Sequence, residues 1–590
     1  MTKGRVLFTD IESVDWDKFL VAVVRDVDTG EEWVCGTPFE LADLVRELGG
    51  QWLAHFGGGF DHLFILDALP YCATVIPAGS RVLSARFFKK RGDFRATLRD
   101  TWPLWSVKLA TLGDWLKLPK IDSDAPLRAG GFAPLDAGHL EKFEPSAVVE
   151  YCRRDVEIGC AAVKATREFL AELGVKQMRW TSGGNAVEIF SALEPAARAA
   201  MESSRISARA VQELADAGVT KGGRVEVFWY GELRKVYKYD ICSSYPYSFL
   251  EGDLPIGLVD GDTGERPALH LARWRRYDPR CPAPVLGLPV KGGQASRGIG
   301  ELRAWVTPEE LADLEGDPEV SVDKLERTLR PAAWISAGKV FARRLYELKS
   351  QGVPWAKLFL NSFHGKLSQK PQQIQYYGDG EKYIEQQTIL QAVESEMSLD
   401  EKEKRWAALC PWHYQPLAAA TVFGRARSRL YRAAKRVQAA GGEVYYCDTD
   451  SLHCSLPPEK FAAAGNAVGT ALGEWKYEGA GPGCYLAPKL YLAGKDKDGR
   501  PVIRARGIRK AAEFLNATDY ARVAALPRVE NHRGTFSEAD GIEWTSSSLS
   551  KFAASVRDGG APFRTELSRR MRVVATGKRI DSTGRAWYRI

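Results

Sequence analysis

Hydrophobic and polar positions along this chain fall into two textures. Over roughly the first 170 residues, short apolar runs alternate with amphipathic stretches. Residues 6–11 read as a buried strand, 39–48 as a helix, 52–56 as a short strand, and 148–172 as a long helix rich in apolar and alanine positions. That alternation predicts one α/β domain. The texture changes at Gly222. Residues 225–228 and 235–239 read as strands, and 251–300 is so rich in Pro and Gly that an irregular inserted subdomain is expected. Helices are expected over 331–351 and 354–367, the second with Pro354 in its first turn. Residues 374–408 read as another insertion, where Ser398 to Glu401 has the spacing of a capping box opening a short charged helix. A strongly basic helix over 421–440 precedes a strand, tight turn and strand over 444–456. The tail from Gly494 is basic and mixed, and no internal repeat or low-complexity tract is present.

Composition narrows the class. With 590 residues, 45% apolar and 27% charged, the chain is neither disordered nor collagen-like, and its length allows about four domains. No apolar run reaches about 18 residues, so no membrane span is expected. The N-terminus enters a strand pattern directly, which argues against a secretory leader. The ten cysteines include no C-x-x-C pair. A disulfide framework or zinc module is therefore not expected, and a reducing, cytoplasmic setting is. The net charge of +7 permits a polyanionic partner without requiring one.

Candidate chemistry begins with paired acids. Asp10 and Glu12 in FTDIES lie two apart at the end of an apolar strand, so both leave on one face. Two like charges about 4 Å apart cost roughly 4 kcal/mol at an effective dielectric of 20, and a divalent cation relieves that. Asp61 in HFGGGFD and Asp155 in YCRRD are two further acids that fit, and Tyr151 shares a helix face with Asp155. Four acids from three segments suit two magnesium-type ions, with Tyr151 orienting a water, which is the layout for phosphodiester hydrolysis. A lone D-x-E is usually surface charge; three spaced segments weigh against that.

A second set lies downstream. Asp448 and Asp450 in YYCDTDSLH are expected at a hairpin tip, and Asp240 ends the strand-like run VYKYD, with Tyr245 close behind to wall a small pocket. A lone D-T-D is weak, because turns favour Asp. Lys357, Asn361 and His364 fall at i, i+4 and i+7 on one expected helix, and Lys349 lies on the helix before it. Cations facing metal-bearing carboxylates suit a triphosphate, although a solvated face would carry the same residues. Arg425, Arg429, Arg432 and Arg436 make a cationic stripe on a helix without acids between Gly424 and Gly442, which favours a phosphate backbone over a solvated face. Lys489, Tyr491 and the basic run 504–510 extend the footprint.

Taken together and in order, these segments resemble a family B DNA polymerase of the protein-primed type found in small phages and linear plasmids. FTDIES, HFGGGFD and YCRRDVEI resemble its three exonuclease motifs. TKGG (Gly222 and Gly223) resembles the glycine motif between the two activities, YDICSSYP motif A, KLFLNSFHGK motif B, TVFGR the template-strand motif, YCDTDS motif C, and Lys489-Leu-Tyr491 the primer-strand motif. The resemblance implies a mixed α/β and α+β chain: a ribonuclease-H-like 3′–5′ exonuclease domain, then a right-hand polymerase of palm, fingers and thumb with two insertions. The expected spans are exonuclease 1–185, palm 186–250 and 411–485, insertions 251–330 and 374–410, fingers 331–373 and thumb 486–590.

The same resemblance implies roles. Asp10, Glu12, Asp61 and Asp155 would bind exonuclease metals with Tyr151 assisting; Asp240 and Asp450 would bind polymerase metals with Asp448 supporting catalysis. Each site would hold two Mg²⁺ or Mn²⁺ ions. Tyr245 would stack under the incoming sugar and reject a 2′-hydroxyl. Lys349 and Lys357 would hold the triphosphate, while Asn361, His364 and Gly365 would line the nascent pair. Gly222, Gly223, Thr421, Gly424, Arg425 and Arg429 would contact DNA, with Lys489 and Tyr491 at the primer end. Four positions depart from the family pattern: Phe56 replaces an Asn, Ser244 a Leu and His364 a Tyr, and the exonuclease lysine expected within 122–128 has only Arg128 nearby. The implied function is a proofreading DNA polymerase, a monomer in the bacterial cytoplasm. It would act on primer-template DNA and deoxynucleotides with a terminal priming protein and strand displacement. The first insertion would contact that protein, and the second would help encircle DNA. The competing readings are a primer-independent relative, a nuclease with a degenerate polymerase half, and a DNA-binding module.

Overall fold

The computed structural model describes residues 4–14, 18–69, 73–78, 81–87, 95–121, 145–206, 214, 219–229, 231–259, 265–276, 288–289, 300–369, 375–378, 383–386, 398, 410–487, 489–495, 499, 501–505, 579–580 and 586–587. Its first sheet is built from β1 (Val6–Val14), β2 (Lys18–Asp26), β3 (Glu32–Cys35), β4 (Gly50–Ala54), β5 (Ala73–Ala78), β6 (Arg81–Phe87) and β7 (Ala96–Asp100). Strand β1 runs parallel to β4 and β4 parallel to β7, while β2 lies antiparallel on the other side of β1. Both faces of β1 are covered, so its side chains divide by parity. Leu7 and Ile11 join a core with helices α1 (Pro38–Leu48) and α2 (Asp61–Ala68). Val6 and Phe8 point the other way, into a core with α3 (Leu109–Leu116) and α4 (Pro145–Glu172). Helix α4 lies tightly on β1 because position 159 is glycine: a Cβ there would stand 2.1 Å from the Phe8 ring.

That second core does not stop at the first domain. It continues through α5 (Ser182–Leu193) into helices of the second half, with Phe169 stacked on Phe359 and Phe190 on Phe363 at 4.3 Å between centroids. Expected boundaries near 185 therefore cross continuous packing.

The second large sheet is antiparallel, ordered β22-β21-β20-β9-β19-β18-β8. Its strands are β8 (Val225–Val227), β9 (Gly231–Ile241), β18 (Val444–Asp448), β19 (Ser451–Cys454), β20 (Trp475–Ala487), β21 (Leu490–Lys495) and β22 (Pro501–Ala505). One long basic helix covers a face through Leu430, Ala433, Ala434 and Val437. The hairpin expected over 444–456 is present as β18 and β19.

Three expectations need correction. The stretch expected to be irregular contributes, among the described residues, β11 (Leu269–Arg276) and β12 (Leu288–Pro289), which form a sheet with β13 (Gly300–Val306) and β14 (Val320–Leu329), while β10 (Leu254–Ile256) pairs with β15 (Ala333–Ile335). The helix expected from 331 begins only at Lys339, because β15 and a left-handed Gly338 precede it. The helix expected over 354–367 is two, Pro354–Leu360 and Phe363–Ser368, joined at Asn361 and Ser362. In the second insertion, β16 (Gln375–Gly378) and β17 (Tyr383–Gln386) form a hairpin that pairs with β5, extending the first sheet. The capping-box residues 399–401, and nearly all of the expected thumb beyond 505, lie outside the described residues.

The basic helix (Pro416–Ala439) also differs from expectation in what its arginines do. It lies against the acidic helix Pro308–Glu315, within the span expected to be the first insertion. Arg425 Nε donates to Glu309 at 3.0 Å, Arg427 Nε to Glu310 at 2.7 Å, Arg432 Nε to Asp313 at 2.7 Å, and Lys435 Nζ to Asp317 at 3.3 Å. Arg427 and Glu310 are both buried, and Glu310 closes a capping box with Thr307. Breaking a buried pair from one side costs about 3–5 kcal/mol. Arg427→Met is therefore expected to lower the urea midpoint clearly. Adding Glu310→Gln, which removes the stranded charge, should restore part of the loss; no recovery in the double variant would show that packing, not charge, holds the helices together.

Candidate functional site

Parity along β1 places Asp10 and Glu12 on the same face as Val6 and Phe8, toward α4. Asp155 comes to meet them from that helix, and Asp61 from the start of α2, where its Oδ1 accepts the backbone N–H of Ile11 at 2.9 Å. All four acids expected in the first cluster thus assemble. Burial drives Asp10 well above the usual carboxylate range, helped by Asp155, Asp61 and Glu12. Burial likewise pushes Glu12 up to about 8 and Asp61 to about 7. Asp155 Oδ1 is buried without a hydrogen-bond partner, an open hard-oxygen position that suits a divalent cation. Tyr151 stands beside them, its ring 4.7 Å from the ammonium of Lys120.

Lys120 is the residue sequence reasoning missed. It forms an ion pair with Asp155, whereas residues 122–128, Arg128 among them, lie outside the described residues. The lysine ends the run WLKLPK just after a helix, two residues before the window 122–128. Phe56 adopts a left-handed φ of 67°, packs edge-on against Trp102 at 5.4 Å between centroids, and carries the Arg81 guanidinium 4.9 Å from its ring.

The second cluster forms on the antiparallel sheet. Asp240 on β9 stands opposite Ser451 of β19, and Ile241 donates its N–H to the carbonyl of Asp450 at 2.8 Å. Asp240 therefore lies at the end of a strand beside Asp450, which sits not on the neighbouring strand, as expected, but in the turn that leads into it. Burial, then the charge of Asp450, raises Asp240 to about 7; burial, then Asp448, raises Asp450 to about 6. They line a cleft of about 360 Å³ with Asp448, Glu478, Lys489 and Tyr491. Lys489 Nζ holds both oxygens of Asp448, at 2.8 and 2.9 Å. The turn has a left-handed Thr449 (φ 60°) whose N–H reaches the carbonyl of Arg224 at 2.6 Å. Gly223 allows that approach, since a Cβ there would lie 2.6 Å from the Thr449 side chain.

Tyr245, on the helical turn Ser244–Ser248 after β9, faces His364 at 4.3 Å and Phe423 at 5.3 Å between ring centroids. Burial lowers His364 to about 4, so the ring is neutral. Lys349 donates to Ser243 Oγ at 2.9 Å, and Lys357 is near enough to depress its proton affinity, after burial. Lys357, Asn361 and Gly365 are exposed beyond them.

Several residues expected on DNA are instead inside the protein. Thr421 is fully buried and bonds the carbonyl of Leu417. Gly424 lies where a Cβ would meet Thr307 at 2.4 Å. Arg425 spends its donors on Glu309 and the carbonyls of Ser248, Gly252 and Asp253; Arg429 bonds Ser244, Ser248 and Glu251. Gly222 is exposed and Gly223 half-buried; the carbonyl of Gly222 accepts from Arg427 at 3.0 Å, and Gly223 hydrogen-bonds the Tyr245 phenol. Arg425 and Arg429 therefore brace the helical turn Ser244–Ser248, and Arg425 and Arg432 the acidic helix Pro308–Glu315. Arg425 and Arg427, two apart, show that the helix is basic on opposite sides, which a one-sided phosphate ladder would not need.

Raised carboxylates make a metal-linked prediction. The folded chain keeps protons that the unfolded chain releases between about pH 4 and pH 8, so without metal its stability falls as pH rises through that window. A divalent cation displaces those protons, and its stabilisation grows with pH. Thermal unfolding in EDTA and in Mg²⁺ should show a larger metal-induced rise in Tm at pH 8 than at pH 5.5. A rise that does not vary with pH would disprove metal binding by these acids.

No protein-family model and no curated protein sequence matches the chain. Solved structures do. Phi29 DNA polymerase complexed with primer-template DNA and incoming nucleotide aligns with a TM-score of 0.64 at 15% identity, over 88% of this chain and 95% of that one. The same enzyme complexed with single-stranded DNA gives 0.62 at 16% identity, with the same coverage. This chain therefore has that fold, the class expected from its sequence: an exonuclease-type domain joined to a right-hand arrangement of palm, fingers and thumb.

Proposed function

We propose that this chain is a DNA-directed DNA polymerase of family B, of the protein-primed type, with a 3′–5′ proofreading exonuclease. One observation carries the reading: two separate acidic centres, on two different sheets, occur together on a fold whose relative was solved with primer-template DNA and nucleotide. Phage or linear-plasmid replication with strand displacement, as a cytoplasmic monomer, is part of the proposal. So are the spans 1–185 (exonuclease), 186–250 with 411–485 (palm), 331–373 (fingers), the two insertions and the thumb.

Asp240 and Asp450 would hold two divalent ions, Mg²⁺ or Mn²⁺, in the polymerase centre; Asp10, Glu12, Asp61 and Asp155 would hold two in the other. The chemistry gained there is charge neutralisation on phosphate and activation of the attacking oxygen. The protein's own part is placement. Lys489 fixes the Asp448 carboxylate, and with Tyr491 it would hold the primer end. Tyr245, backed by His364 and Phe423, would present a flat wall to the incoming sugar and leave no room for a 2′-hydroxyl. Lys349 and Lys357 would take the triphosphate, and Asn361 and Gly365 would meet the nascent pair. In the other centre, Lys120 would steady Asp155, and the Tyr151 hydroxyl would orient a water.

Priming is tested with a circular single-stranded template. With an annealed primer the chain should extend; without one it should be silent unless the cognate priming protein is supplied, when the first nucleotide becomes covalently attached to that protein. Efficient synthesis with neither primer nor priming protein would replace this reading with a primer-independent one.

A further inference from the structure

Cys152 follows Tyr151 on α4, and its side chain is turned inward, onto β1. The thiol donates to the backbone carbonyl of Asp10 at 3.2 Å and lies 3.7 Å from Asp10 Oδ2. Ligand atoms of Asp10, Glu12 and Cys152 all lie within 4.8 Å of one another. Asp155 Oδ1, buried without a hydrogen-bond partner, belongs to the same group of acids, its charge coupled to Asp10. Carboxylates by themselves select hard cations, whereas a thiolate shifts a site toward soft ones. Sulfur at about 2.3 Å and a carboxylate oxygen at about 2.1 Å from a tetrahedral ion stand roughly 3.6 Å apart, close to the Cys152–Asp10 separation.

We propose that Asp10, Glu12 and Cys152 form a mixed carboxylate–thiolate site that captures a thiophilic divalent cation, Zn²⁺ or Cd²⁺. On capture the S–H bond breaks, a sulfur–metal bond forms, and the proton leaves to solvent; nothing is oxidised or reduced. Among the described residues, no cysteine lines the cleft around Asp240 and Asp450, so a soft cation would silence the first centre and spare the second. That consequence rests on the proposed proofreading function; the site itself does not.

The test uses the full chain, metal-free and without DNA, titrated with Cd²⁺ while the thiolate-to-cadmium charge-transfer absorption is read. One equivalent should bind with the absorption of one thiolate, and Cys152→Ser should remove that step. Asp10→Asn keeps all ten cysteines and should weaken the step by about tenfold or more, which also covers the case where Cys152→Ser does not fold. Equal absorption and affinity in the parent chain and Cys152→Ser, or unchanged affinity in Asp10→Asn, would overturn the proposal. A Cys152-dependent band with excision unaffected by Cd²⁺ would uphold the site and count against the proofreading reading.

Discussion

Asp450→Asn is expected to reduce primer extension by about a thousandfold or more while leaving excision of a mismatched 3′ end within about twofold of the parent chain. The carboxylate lies in the turn beside Asp240, whose proton affinity it raises after burial has done so; its own is raised by burial and then by Asp448. An amide of the same shape keeps the packing and the bond from Ile241 to the Asp450 carbonyl, and loses only the negative charge that a divalent ion needs. Unfolding is therefore not the expected cause of the loss, and an unchanged melting temperature in EDTA would establish that. Extension by Asp450→Asn at the parent rate would end the assignment of this cleft as the polymerising centre.

Asp10→Ala should have the opposite effect, stopping excision of single-stranded DNA by a comparable factor and sparing extension. Asp10 is in the sheet of the first domain, on the β1 face that meets α4, and its charge is coupled to Asp155, Asp61 and Glu12 but not to the acids of the second sheet. Removing one of four crowded acids also relieves repulsion, so the metal-free variant should be no less stable than the parent at pH 8. Excision and extension lost together would mean one shared centre. That outcome would also be hard to reconcile with two sheets that have separate acidic clusters.

Both centres could be anticipated because their geometry is local. Period-2 alternation sends Asp10 and Glu12 to one face, and the β-prone flanks of D-T-D close a hairpin that places Asp448 and Asp450 at its turn. A buried like-charge cluster then implies a cation whatever else the fold contains. The order of segments supplied the roles expected of Tyr245 and His364, whose rings only the fold brings to 4.3 Å.

Partner choice was not legible. Arginine spacing along residues 425–436 gave a stripe, but a stripe does not say whether phosphates or the acids of another segment will face it. Only the fold brought Glu309 and Asp313 from more than 100 residues away to Arg425 and Arg432, and Glu310 and Asp317 to Arg427 and Lys435 beside them, and turned Thr421 and Gly424 into packing contacts. Lys120 and Cys152 escaped for the same reason: nothing beside them in sequence marks a cation or a thiol that will point at acids held by another strand. Local backbone preference and burial determined the elements and the two acidic nests from sequence alone. Tertiary structure decided which charges meet, because ion pairing depends on distances that only long-range packing sets.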